Sequence, residues 1–278
     1  MILDAHHHLW RYTEADYGWI DDGMQRIARD FEVADLSQAG AGRVQGSVAV
    51  QARQTVEETE WLLGTAEQSD YIRAVVGWAP LADDTLSQHL DAWAERKLLK
   101  GLRHVVQDEP DDDFLDREPF NRGVAEALSR GYRYDLLIFA RQFPQTIRFV
   151  DRHPGGSFVL DHIGKPAIAE GEHDVWASHI KQLAERENVV CKLSGIVTEA
   201  EWDTWTPESI KPYLDTALEA FGPNRLMFGT DWPVCLLATE YQRWLEVITD
   251  WAAPLSDSER DALFYRTAAE FYGITIEA

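Results

Sequence analysis

The segment Asp4-Ala5-His6-His7-His8 follows directly on an apolar start, Met1-Ile2-Leu3. In an extended strand successive side chains alternate faces, so His6 and His8 share one face and His7 takes the other. Two imidazoles side by side can serve one electrophile, either a metal ion or a polarised carbonyl. Further chemistry-bearing residues close other β-branched or apolar runs: Arg103-His104, Asp161-His162 with Lys165 just beyond, Lys192 with Ser194, and Asp231 in Phe-Gly-Thr-Asp-Trp-Pro. Asp231 is a candidate general base, a carboxylate able to take a proton from water and pass it to a leaving alkoxide. Polar groups in a buried mouth are costly unless they serve one another or a ligand, and here they recur at five strand ends.

The elements that must position them follow from periodicity. Strands are predicted over 2–6, 43–51, 72–78, 101–106, 132–139, 157–162, 189–194 and 226–229. Helical spacing occupies 56–68, 86–96, 120–129, 143–152, 175–186, 210–221, 241–252 and 257–271. Thr206-Pro207 suits an N-cap with Pro at the first helical position, Gly222-Pro223 stops that helix, and Ser256 with Glu259 fits a capping box. Eight βα units of about 35 residues predict one domain over 1–278, a (β/α)8 TIM barrel, whose chemistry sits at the C-terminal strand ends. An open doubly wound sheet would need a Gly-rich turn after the first strand, and none is present.

The composition, 45% hydrophobic and 11% aromatic over 278 residues, supplies a large core. A net charge of −22 argues against nucleic acid or an anionic membrane as partner. No apolar run reaches the roughly 18 residues of a membrane span, and Asp4 interrupts the apolar start too soon for a secretory signal. Two cysteines, Cys191 and Cys235, fit a reducing cytoplasm and read as small buried hydrophobes rather than zinc ligands. The oligomeric state, including a homo-oligomer, stays open.

The phrases Asp-Ala-His-His-His-Leu-Trp, Gly-Leu-Arg-His-Val, Leu-Asp-His-Ile-Gly-Lys-Pro, Cys-Lys-Leu-Ser-Gly and Phe-Gly-Thr-Asp-Trp-Pro-Val-Cys run from residue 4 to residue 235. Together they resemble the amidohydrolase superfamily, and within it the branch of L-fuconolactonases and L-rhamnonolactonases. The resemblance implies hydrolysis of a small-molecule sugar lactone to the aldonic acid. Asp231 would then be the base, with His6, His8 and His162 polarising the carbonyl. They would do so directly, or with Asp231 as ligands of one divalent metal, zinc foremost. No bridging acid or lysine for a second metal follows strand four, and strand five ends without a histidine, so a binuclear centre is not expected. Related pyrone-dicarboxylate lactonases need no metal, and the residues leave one metal or none open.

Substrate contacts are expected from Arg103, His104, Lys192, Arg141, Trp78 and Trp232, the indoles acting as platforms for a sugar ring together with Trp10 and Trp19. Arg103 has the alternative of pairing with an acid such as Asp4. Two other functions stay open: a metal-dependent decarboxylase of the same superfamily, and a non-catalytic sugar-binding barrel.

Overall fold

A computed structural model describes residues 1–275. The strands are β1 (Leu3–His7), β2 (Gly46–Val50), β3 (Ile72–Gly77), β4 (Leu99–Val105), β5 (Arg133–Leu137), β6 (Phe158–Leu160), β7 (Val189–Leu193) and β8 (Leu226–Phe228). They pair in parallel and in chain order, which makes a (β/α)8 barrel. Between them run α1 (Val33–Gly40), α2 (Val56–Glu67), α3 (Leu86–Ala92), α4 (Glu118–Ser129), α5 (Phe143–Arg152), α6 (Asp174–Ala184) and α7 (Pro207–Phe221), with α8 (Tyr241–Trp251) after β8. None of the described helices is long and apolar enough to cross a membrane. Thr206 and Ser256 cap their helices as expected, each side chain accepting a backbone N–H from the third residue onward.

Two elements depart from the periodicity. Helix α1 buries only Leu36 and Gly40, too little apolar content to show a helical stripe. The expected helix over 257–271 is instead α9 (Asp257–Asp261), a π-helical turn (Ala262–Arg266) and α10 (Thr267–Tyr272). A π turn rotates the apolar face, so that Ala268, Ala269 and Tyr272 of α10 pack with Leu3, Val48, Ala74, Val159 and Met227 and close the floor of the barrel.

Strand β1 carries an irregularity that matters for the site. Asp4 pairs with Ser47 and His7 with Ala49, so three steps on β1 face two on β2: a β-bulge. Ala5 packs with the interior residues Val48 and Val50, yet His6 also turns inward, while Asp4 turns outward to Tyr241 of α8. The bulge re-aims His6, and strict alternation along the strand alone would not.

The seam between β1 and β8 is built from site residues. The Asp231 N–H donates to the His6 carbonyl at 2.8 Å and the His8 N–H to the Trp232 carbonyl at 2.6 Å. Beneath them the Asp4 carboxylate accepts from the Thr230 hydroxyl (2.6 Å), the Thr230 N–H (2.9 Å), the Tyr241 hydroxyl (2.9 Å) and the His6 N–H (3.1 Å). Closing the barrel and assembling the site are therefore one event.

Candidate active site

A cavity of about 520 Å³ opens at the C-terminal ends of the strands. His8, Arg103, His162 and Asp231 line it, with Trp10 and Trp19 forming one wall. The two indoles meet edge to face, ring centres 5.9 Å apart. Trp19 is 41% exposed, an unusual cost for an indole unless something covers it in use. Asp16 and Arg53, paired at 2.6 Å, stand at the same mouth with Gln54, Gln107 and Asp108.

Asp231 has left-handed backbone geometry (φ +58°), as do His162 (+54°), Ile163 (+50°) and Lys165 (+46°). Strained residues of this kind persist only where surrounding structure holds them, and they gather at functional sites. Here the Trp176 indole N–H on the Ile163 carbonyl (2.8 Å) and the Lys165–Glu199 ion pair (3.3 Å) brace the turn after β6. The strain points Asp231 at the histidines: Oδ1 lies 3.2 Å from His8 Nε2 and 3.7 Å from His6 Nε2. Burial alone would raise the Asp231 carboxyl, but at low pH, where the surrounding imidazoles are protonated, their charge, that of His162 foremost, brings it below the usual carboxylate range. Burial pushes His162 down to about 4 and His6 well below its ordinary value, so both rings are neutral at pH 7.

His6 Nε2 and His8 Nε2 are 3.2 Å apart, so the three donor atoms form a triangle with sides of 3.2, 3.2 and 3.7 Å. A tetrahedral ion with bonds of about 2.0–2.1 Å spaces its ligand atoms about 3.3 Å apart. His8 donates its Nδ1–H to the Val50 carbonyl at 2.8 Å, which leaves Nε2 as a lone pair facing the triangle. These three residues fit a metal ion, and His6 also belongs to a second candidate group with Asp161 and His162. His162 stands beside this triangle rather than in it, its Nδ1 3.0 Å from the Ser194 hydroxyl.

A buried ionic layer supports the site. Lys192 Nζ lies 2.5 Å from Asp135, 3.0 Å from Asp161 and 3.2 Å from His6 Nδ1. Arg103 reaches Asp161 at 3.0 Å, the Gln51 side-chain carbonyl at 3.0 Å and His6 Nε2 at 3.3 Å. Burial raises the Asp135 carboxyl to about 6 against the opposing pull of Lys192.

Several expected roles need correcting. Lys192 is wholly buried below the cavity and cannot reach a substrate there. His6 is also wholly buried and is not among the residues that line the cavity. On β4 Arg103 turns inward, so the next residue, His104, turns out, where it bonds Glu109 at 2.6 Å and Trp78 at 3.3 Å and stacks on Phe114. Trp78 is thus a partner of His104 and not a cavity platform. Trp232 packs edge-on against Phe31 outside the cavity, and Arg141 pairs with Asp112 at 3.0 Å on the surface. Arg103 pairs with Asp161, while Asp4 is taken by Thr230 and Tyr241.

The cavity-lining loop after β2 is anchored by Glu58, which accepts the N–H groups of Ala52 (3.0 Å) and Arg53 (2.7 Å). Burial raises its carboxyl from 4.5 to about 7. The folded protein therefore keeps a proton that the unfolded chain has already released, so stability is lost as pH rises from 4.5 through 7. The lost amount is ~3 kcal/mol at 1.36 kcal/mol per pKa unit. In urea unfolding, wild type is expected to decline by that amount relative to Glu58→Gln across this window; equal slopes would refute the assignment.

Comparison with known proteins agrees with this geometry. The amidohydrolase family profile matches residues 3–274. An L-fucono-1,5-lactonase of Burkholderia multivorans is 45% identical over 98% of this chain and 96% of its own length, and one from Burkholderia ambifaria is 33% identical over 98% and 95%. A crystal structure of an amidohydrolase from Burkholderia multivorans with bound zinc superposes with a TM-score of 0.96 at 44% identity, covering 99% of this chain and all of that one. With a match this long laid over a barrel whose histidines and aspartate meet at the β1–β8 seam, the chain belongs to the amidohydrolase family.

Proposed function

We propose that the protein is a hydrolase that opens a sugar-acid lactone, L-fuconolactone or a related aldonolactone, to its aldonic acid. The observation that carries this reading is a carboxylate, Asp231, ringed by imidazoles at the mouth of a tryptophan-walled cavity. The names of the two Burkholderia relatives support the substrate class.

In the proposed reaction, water attacks the lactone carbonyl as Asp231 takes one of its protons. Oδ2 of Asp231 serves as base, because Oδ1 faces His6 and His8 and Oδ2 accepts no hydrogen bond among the described residues. The tetrahedral oxyanion is met by Arg103 and by His162, whose Nε2 is the nitrogen left free by Ser194. The ring C–O bond breaks, the proton passes from Asp231 to the leaving alkoxide, and the hydroxy acid ionises to release one proton per turnover. Trp10 and Trp19 pack on the apolar face of the sugar, and Asp16, Arg53 and Gln107 meet its hydroxyls. His6, His8 and Asp231 would hold one zinc ion. Bound there, it would polarise the carbonyl as a Lewis acid.

The test is proton release against a panel of 1,4- and 1,5-aldonolactones. Turnover of L-fucono-1,5-lactone or a near stereoisomer is expected. No release across the panel, or carbon dioxide evolved from an aromatic acid, would overturn the reading.

A further inference from the structure

His6 stands between two donors and two acceptors. Lys192 Nζ lies 3.2 Å from its Nδ1 and Arg103 lies 3.3 Å from its Nε2. Asp161 Oδ1 lies 3.4 Å from Nδ1, and the lone pair of His8 Nε2 lies 3.2 Å from Nε2. A neutral imidazole has one N–H and one lone pair, so only half of these partners can be served at once. With the proton on Nε2, His6 donates to His8 and accepts from Lys192. With the proton on Nδ1, it donates to Asp161, and its one Nε2 lone pair either accepts from Arg103 or, with that bond given up, turns to an ion in the triangle. Each tautomer has one partner of each kind.

The two arrangements differ in what the His6–His8–Asp231 triangle can do. An Nε2–H pointing at His8 fills the triangle with a proton. An Nδ1–H leaves two lone pairs and a carboxylate converging on it. Without an ion, two lone pairs 3.2 Å apart repel, so the Lys192-held tautomer is the stable one. Asp161 Oδ1 is buried and, although 3.0 Å from Lys192 Nζ, has no hydrogen bond directed at it. A buried acceptor left so calls for a reason, and the Nδ1–H of the second tautomer supplies one.

We infer that Lys192 and Asp161 are positioning residues that compete for His6 Nδ1, and that their competition sets whether the triangle accepts a metal ion. Lys192 holds the closed, metal-free form, and Asp161 accepts the hydrogen bond of the His6 Nδ1–H when an ion enters. Outer partners of metal-binding histidines commonly change affinity 10- to 100-fold. The inference rests on the site proposed above, but zinc affinity is read with no lactone present, so the two can fail separately.

The experiment is zinc titration in competition with a chromogenic chelator, on purified apo-protein, with nitrogen-15 NMR of labelled histidines to read the tautomer. Lys192→Met is expected to bind zinc about 10-fold more tightly than wild type, and Asp161→Asn about 10- to 100-fold more weakly. Charge alone would move those affinities in the same directions, so the spectra decide between the explanations. His6, assigned by loss of its signals in His6→Gln, should carry its proton on Nε2 in apo wild type and on Nδ1 with zinc. The same apo Lys192→Met protein should already show the Nδ1–H form. If that variant does not fold, Lys192→Met with Asp135→Asn removes the stranded carboxylate, and the wild-type spectra need no variant of the ionic layer. Zinc affinity unchanged or weakened in Lys192→Met overturns the inference, as does a His6 tautomer that is the same with and without zinc.

Discussion

Asp231→Asn is expected to lower kcat for the lactone about 1,000-fold while leaving the fold intact, in line with the 10²- to 10⁴-fold contribution of a positioned general base. The substitution keeps the shape of the side chain, and Oδ1 has no backbone donor to lose among the described residues. The melting temperature should therefore move by no more than about 3 °C, roughly 1 kcal/mol for a chain of this size. A carboxylate held below its usual range is a weak base, so its advantage must come from placement. Placement here is expensive, because it requires a non-glycine residue at φ +58° locked to the His6 carbonyl. Activity within tenfold of wild type in Asp231→Asn would remove it as the base and leave it as a ligand or a positioning group.

The barrel was legible in the chain because parallel strands buried on both faces appear as short apolar runs, and eight of them alternate with helical spacing. The His6–His8 pair was legible too, since alternation puts both on one side of β1. What alternation could not show is the bulge that brings Ala5 and His6 inward together, because a bulge is a matter of pairing with β2. The same rule applied to β4 does separate Arg103 from His104: two consecutive strand residues cannot both face the cavity, and His104 lies outside. Lys192 is harder. It points into the barrel as expected, but how deep it sits depends on the stagger of neighbouring strands, and no local pattern encodes that. Its depth turns it from a substrate contact into a partner of Asp135, Asp161 and His6. Asp16, Arg53 and Gln107 lie in loops whose composition is ordinary for a surface, and only their convergence at one mouth distinguishes them.

Gly195 left no signal except its place in Cys-Lys-Leu-Ser-Gly, yet Gly195→Ala is expected to damage the site nearly as much as loss of a catalytic group. Its backbone has φ +60°, where a side chain adds strain of about 1–2 kcal/mol. A Cβ there would stand 2.5 Å from His162 Nδ1 and 2.8 Å from Asp231 Oδ2. Neither neighbour has a flexible end that could swing clear: one is a ring bonded to Ser194, the other a carboxylate on a strained turn. Ordinary contact is near 3.5 Å, so both must shift by something approaching 1 Å, a displacement that costs about 100-fold in a positioned reaction. The loss should fall on kcat, because the cavity wall of Trp10 and Trp19, proposed to pack on the sugar, lies elsewhere, and KM should change less than threefold. Glycine is required here because His162 and Asp231, the proposed oxyanion donor and base, approach one backbone from the same side, and a methyl group would occupy the space between them. Steady-state rates of Gly195→Ala within fivefold of wild type would show that the two groups act farther apart than the resting geometry holds them.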